Sequence, residues 1–249
     1  MNKVAQPTIV VASNKEDAAR CTADLIHETL RENPASVLGL ATGGTPIGVY
    51  RLLVERFQTG ELDFSAVTTF NLDEYIGLGP EHGQSYRYFM QQQLFDHVNV
   101  VREQTHVPNG LASDISRHVT EYEEQIQQAG GIDLQLLGIG NNGHIAFNEP
   151  GSAAASRTRK VDLTENTIEA NSRFFESAED VPRHAITMGI GTILESRRIV
   201  LMATGKAKAQ VVQASLEGPA DPVNPASLLQ GHAGLTFVLD PESASELQL

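Results

Sequence analysis

Short apolar, β-branched runs alternate with amphipathic stretches along almost the whole chain, and this alternation constrains the fold more than any other feature. Thr8 to Ala12, Ser36 to Ala41, Val67 to Leu72, Ile132 to Leu137, Arg198 to Ala203 and Gly234 to Leu239 read as strands. Ala18, Cys21, Leu25, Ile26 and Leu30 recur at helical spacing behind a Ser13-x-x-Glu16 capping box, and Asn33-Pro34 ends that helix. Thr45-Pro46 opens a second helix, with Thr45 as cap, whose buried face is Ile47, Tyr50, Leu53, Val54 and Phe57. Ser85 to Phe95 reads as a third helix. Ser113 caps a fourth, carrying Ile115, Val119, Tyr122, Ile126 and Ala129, and a fifth runs from about Lys206 to Glu217. Strands linked through helices run parallel, so the expected fold is α/β, a mainly parallel sheet sandwiched by helices.

The 249 residues contain no internal repeat, low-complexity tract or long linker, and residues 1–249 are read as one domain. Gly151 to Pro182 is weakly patterned and is expected to be a lid or an excursion from the sheet. Hydrophobic residues make up 41% and charged residues 20%, the balance of a soluble globular protein. Asp and Glu number 31 against 18 Lys and Arg, a formal charge of −13, which argues against nucleic acid as a partner. Trp is absent and aromatics are 6%, too few for a base-stacking surface. No apolar run approaches the ~18–20 residues a membrane span requires. Met1 to Pro7 carries one lysine and no apolar core, so no signal peptide is expected. The single Cys21 excludes an intrachain disulfide, reads as core filler and suits a cytoplasmic location.

Ligands of open α/β sheets bind beyond the carboxyl ends of the strands, and three segments there are unusual. Thr42-Gly43-Gly44-Thr45-Pro46 offers close backbone approach and the free N–H groups of a helix start, which suits a phosphate; a tight turn before a helix is the other reading. Its spacing matches neither a Walker A loop nor Gly-x-Gly-x-x-Gly. Asn71-Leu72-Asp73-Glu74-Tyr75 places adjacent acids at a strand end, as a general base or as a solvated turn. Gly138 to Pro150 carries His144 and Glu149 five residues apart on a Gly/Asn-rich loop, an acid–base pair more specific than either residue alone. Together these point to a phosphate-bearing small molecule and acid–base chemistry with no cofactor and no metal.

Ala41 to Pro46, Thr69 to Tyr75, Gly138 to Pro150 and Asn171-Ser172-Arg173-Phe174-Phe175 resemble the glucosamine-6-phosphate deaminase family, in the family's order, from about residue 8 to residue 240. The resemblance implies a Rossmann-like fold and the conversion of glucosamine 6-phosphate and water to fructose 6-phosphate and ammonia, in amino-sugar catabolism. It implies that Asp73 moves a proton between C2 and C1 of the open-chain sugar. It implies that His144 opens the pyranose ring with Glu149 as partner, and that Thr42, Gly43, Gly44, Arg173 and Lys208 contact the phosphate.

Asn142 departs from the aspartate of many members, so by resemblance it is an orienter of the His144 loop rather than a second acid. Ser152 and Arg159 match the activator site of allosteric members, but Val161 replaces their lysine and the sequence lacks their longer C-terminal tail. Activation is therefore not expected, and the chain is expected to be a monomer or a homo-oligomer. The rival readings are a 6-phosphogluconolactonase-like hydrolase and a non-catalytic sugar-phosphate sensor. The latter would need a DNA-binding module that does not fit before the strand at Thr8.

Overall fold

The computed structural model describes residues 6–172, 175 and 177–248. Among these described residues seven parallel strands form the main sheet: β1 (Thr8–Val11), β2 (Val37–Leu40), β3 (Thr68–Asn71), β5 (Thr105–His106), β6 (Leu134–Leu137), β9 (Arg198–Ala203) and β10 (Leu235–Leu239). Their spatial order is β1-β10-β9-β6-β2-β3-β5. The α-helices are α1 (Lys15–Glu32), α2 (Ile47–Gln58), α3 (Tyr86–Gln93), α4 (Ile115–Gln128), α5 (Glu165–Ser172), α6 (Ile190–Leu194) and α7 (Ala209–Glu217), of which α5 packs in the apolar cluster of a smaller second sheet. This is the mainly parallel, helix-flanked sheet that the alternating pattern predicts.

Burial explains which runs became central. β2 and β6 are buried at every position, as strands covered on both faces must be. Each fully buried Leu or Ile in such a strand contributes about 1.5–3 kcal/mol relative to exposure. Cys21 lies on α1, half-buried against this core, and burial pushes its thiol pKa up, which fits filler rather than a nucleophile.

Three local expectations shift by one residue. The first helix is capped by Asn14, whose side chain accepts the Asp17 N–H at 2.8 Å, not by Ser13. The fourth is capped by Asp114 instead of Ser113. The second starts at Ile47, with Pro46 in the cap position and no side-chain cap, so Thr45 is not its cap. The expected fifth helix begins as a 3₁₀ turn at Lys206–Lys208 and becomes α-helical only at Ala209.

The larger correction concerns residues 71–75. Asp73–Tyr75 is not a solvated turn but a buried strand, β4, of a second sheet. It pairs antiparallel with β8 (His184–Thr187), and β8 pairs antiparallel with β7 (Arg159–Asp162). The weakly patterned stretch 151–182 supplies β7 and α5. The small sheet has its own apolar cluster, in which Tyr75 packs with Phe147 and Leu163.

Candidate active site

The chain leaves β2 through α2 toward β3 on one side, and leaves β6 toward β9 on the other. The sheet therefore has its topological switch point between β2 and β6, where a crevice opens beyond the strand ends. Four neighbouring strands deliver segments there. β3 leads to Asp73, β2 to Thr42–Thr45, β6 to Gly138–Phe147, and β9 to Lys208; all of these line one pocket of about 570 Å³.

The β2 segment meets the sequence expectation. Gly43 has φ +90°, a conformation that suits glycine, and Thr42, Gly43, Gly44 and Thr45 line the pocket ahead of α2. With no side chain among the described residues capping α2, the N–H groups of its first turn remain for an anion. Lys208 stands opposite, its Nζ donating to Asn141 Oδ1 at 2.6 Å; burial lowers its pKa. Arg173, the remaining expected phosphate contact, lies outside the described residues.

The two acids of β4 have separate surroundings. Glu74 accepts the backbone N–H groups of Tyr75 at 2.9 Å, Tyr86 at 2.9 Å and Arg87 at 3.0 Å, and so caps the start of α3 beside the Ser85 hydroxyl. Burial pushes its pKa up to about 7, against the pull of those donors. Asp73 faces the pocket. Burial, and then the adjacent Glu74 charge, push its pKa up to about 8. A carboxylate in that range is matched to proton transfer near neutral pH.

His144, Asn142 and Glu149 converge on the β6 loop. Asn142 Nδ2 donates to Glu149 Oε2 at 2.7 Å, and Asn142 Oδ1 accepts the His144 N–H at 3.2 Å. His144 Nδ1 stands 3.7 Å from Glu149 Oε1. Burial lowers the imidazole pKa; the Glu149 charge opposes this and the Lys208 charge adds to it. Gly140 is required by packing, because a Cβ there would lie 2.2 Å from the His144 ring. Ala146, at φ 52°, holds a strained left-handed turn that the Ile145–Asn148 bridge closes.

The small sheet fixes this loop from behind. The Phe147 N–H donates to Thr187 Oγ1 at 3.1 Å, and Asn148 Nδ2 donates to the Met188 carbonyl at 2.8 Å. Arg159 on β7 donates to Asn148 Oδ1 at 2.9 Å and to Ser152 Oγ at 3.4 Å. The structure thus brings Thr42, Gly43, Gly44, Asp73, Asn142, His144 and Lys208 onto one pocket, with Glu149 immediately behind the imidazole. Sequence reasoning missed Tyr86, Asn141 and Thr167, which also line it. Asn141 reads only as part of the Gly/Asn-rich backbone of its loop. Tyr86 directly follows the Ser85 cap. Thr167 lies where patterning is weak, and no signal singled it out. Among the described residues no cluster of three or more His, Cys, Asp or Glu could hold a metal ion, and no helix is long and apolar enough to cross a membrane.

A carboxylate, an imidazole–carboxylate set and an uncapped helix start, gathered at the switch point of a parallel sheet, define a Rossmann-like protein built for acid–base work on an anionic small molecule. The chain belongs to the family of glucosamine-6-phosphate isomerases and 6-phosphogluconolactonases, whose model matches residues 12–238. A glucosamine-6-phosphate deaminase of Rhodopirellula baltica is 57% identical over 96% of this chain and 95% of its own length. One from Thermoanaerobacter pseudethanolicus is 50% identical over 95% and 94%. The solved structure of a monomeric glucosamine-6-phosphate deaminase superposes with a TM-score of 0.94 at 44% identity, over 96% of this chain and all of that one. A 6-phosphogluconolactonase from Trypanosoma cruzi has a TM-score of 0.78 at 22% identity, over 98% of each chain, which shows a shared fold.

Proposed function

We propose that the protein converts glucosamine 6-phosphate and water to fructose 6-phosphate and ammonia. The observation that carries this reading is the pairing of a buried, pocket-facing Asp73 with the His144–Glu149–Asn142 set across from a phosphate-ready loop. The deaminase relatives at 50% and 57% identity support it over lactone hydrolysis.

The phosphate rests on the N–H groups of Thr42–Thr45 and the α2 start, with Lys208 and Arg173 as counter-charges. His144 moves the proton between the ring oxygen and the C1 hydroxyl, which opens the pyranose, and Glu149 steadies the imidazole. Asn142 orients both. The Asp73 carboxylate then takes the C2 proton, giving an enolamine, and returns it to C1, giving a C2 iminium. Water adds to C2 and ammonia leaves. The cationic amine of the bound sugar favours the ionised form of Asp73, countering the burial that raises its pKa.

The reading extends to a single domain with a lid around 151–182; among the described residues of that stretch Thr167 of α5 lines the pocket, which supports it. We take one cytoplasmic chain as the working unit, with the monomeric relative in support. No activator is expected, since Val161 lacks the ammonium that a second phosphate site beside Arg159 and Ser152 would want. The test is to incubate purified protein with glucosamine 6-phosphate and measure both products. Equal amounts of ammonia and fructose 6-phosphate, with a hyperbolic rate curve, are expected. Hydrolysis of 6-phosphogluconolactone with no ammonia from the amino sugar would replace this reading with the lactonase one.

A further inference from the structure

Neither oxygen of Glu149 is given to the imidazole it faces. Oε2 accepts the Asn142 amide at 2.7 Å, and Oε1 accepts the Thr167 hydroxyl at 2.6 Å. His144 Nδ1 lies 3.7 Å from Oε1, beyond hydrogen-bond reach, and is buried with no partner among the described residues. A buried polar atom left in this state costs about 1–3 kcal/mol, so the arrangement calls for a reason.

The reason lies at the start of α5, away from the catalytic loop, where Thr164 immediately precedes the helix and Thr167 lies in its first turn. Thr164 Oγ1 accepts the Thr167 N–H at 3.3 Å and donates its own proton to Thr167 Oγ1 at 3.1 Å. That occupies the acceptor side of the Thr167 hydroxyl and aims its proton at Glu149. The hydroxyl is thus held as a donor in a three-member chain, Thr164 to Thr167 to Glu149, which strengthens its hold on the carboxylate.

We propose that Thr167 is a positioning residue for the imidazole: it holds Glu149 Oε1 and so sets how much of that carboxylate reaches His144 Nδ1. This rests on the ring-opening roles of His144 and Glu149 in the reaction proposed above. The other charged groups around the imidazole are Lys208, from the turn before α7, and Asp73, from β4 on the same pocket wall. Arg159 engages Asn148 and Ser152 behind the loop, and Glu165 of α5 faces Arg183 at 3.7 Å. A change at residue 167 alters none of these charges.

Thr167→Val keeps the side-chain shape and removes the donor, leaving Oε1 to accept from Nδ1–H. NMR titration of the histidines in the free full-length protein is expected to show His144 about one pH unit higher in Thr167→Val than in wild type. Thr167→Ser, which keeps the hydroxyl, is expected to restore the wild-type titration. Turnover of glucosamine 6-phosphate is expected to fall in Thr167→Val with KM changed less than about twofold, because a positioning residue acts on the chemical step. An unshifted His144 titration in Thr167→Val overturns the proposal, whatever happens to turnover. So does a shift that Thr167→Ser reproduces. A wild-type protein that releases no ammonia overturns the deaminase reading instead, and the titration still decides what Thr167 does to the imidazole.

Discussion

Asn142 uses both ends of its amide: Nδ2 donates to Glu149 Oε2 at 2.7 Å while Oδ1 takes the backbone N–H of His144 at 3.2 Å. A carboxylate could do only the second. Asn142→Asp therefore exchanges a hydrogen bond for two carboxylates in contact, and adds an anion beside the imidazole. The His144 titration is expected to move up by about one pH unit. NMR on the single variant checks this. An unmoved titration would make Asn142 a turn residue chosen for backbone geometry.

Asp73→Asn is expected to lower turnover by about 10²–10⁴-fold or more, since the amide is nearly isosteric and cannot take the C2 proton. Binding of the sugar phosphate, measured by calorimetry, is expected to persist. The same variant carries a stability signature. An unfolded aspartate titrates near ~3.9. A carboxyl held at about 8 in the folded protein makes folding less stable as pH rises from about 4 to about 8. Asn has no such dependence. The variant is expected to be more stable than wild type by about 2 kcal/mol or more at pH 9, with the gain vanishing toward pH 4. Denaturant unfolding at the two pH values reads it; an equal difference at both would show that Asp73 is not the raised group.

The wild-type pH profile follows from the same carboxyl. The base must be ionised, so kcat/KM for glucosamine 6-phosphate is expected to rise with pH through about 8, the range to which burial and Glu74 push Asp73 in the free protein. A profile already flat by pH 6 would contradict it.

Gly140→Ala places a methyl 2.2 Å from the His144 ring, which must then move. Turnover is expected to drop by about 10²-fold, as misplacement of a catalytic group does. Overpacking is expected to cost about 1–3 kcal/mol of stability. Kinetics and denaturant unfolding on one preparation separate the two effects. Activity within twofold of wild type would mean that the ring position is not critical.

Lys208→Met removes a cation from the phosphate side of the pocket and a like charge from the imidazole. KM for the sugar phosphate is expected to rise by about tenfold or more. The His144 titration is expected to move up, because the Lys208 charge lowers it in the wild type. A KM change with no titration change would separate Lys208 from the imidazole.

The parallel sheet was legible because β2, β6 and β9 are almost wholly apolar and the helices between them carry clear 3.6-residue periodicity. The small sheet was not, and its sequences say why. β4 is Asp-Glu-Tyr and β7 is Arg-Lys-Val-Asp, so charge hides the strand signal. Their pairing is set by β8 and by the loop they brace, neither of which is local. The caps shifted by one because Ser13 and Asn14, or Ser113 and Asp114, are each competent to cap. Asp73, His144 and Glu149 were visible as chemistry. That Glu74 is spent on the α3 N-terminus needed the fold, because its donors lie twelve and thirteen residues away.

The first strand of the chain has its sheet partner in the last. β1 sits at the edge against β10, Thr8 opposite Thr236 through Val11 opposite Leu239. On a ribosome, β1 emerges early and has nothing to pair with until Leu235–Leu239 follows. α1 does not wait with it, because α1 packs on α2 as well as on β9 and β10. The middle strands can assemble first with α1 docked on α2, and β1 must stay unpaired for nearly the whole of synthesis, an exposed strand in a growing chain. A nascent chain stalled before residue 235 is therefore expected to be protected from proteases around α1, β2, β3 and β6 while remaining open to cleavage at β1.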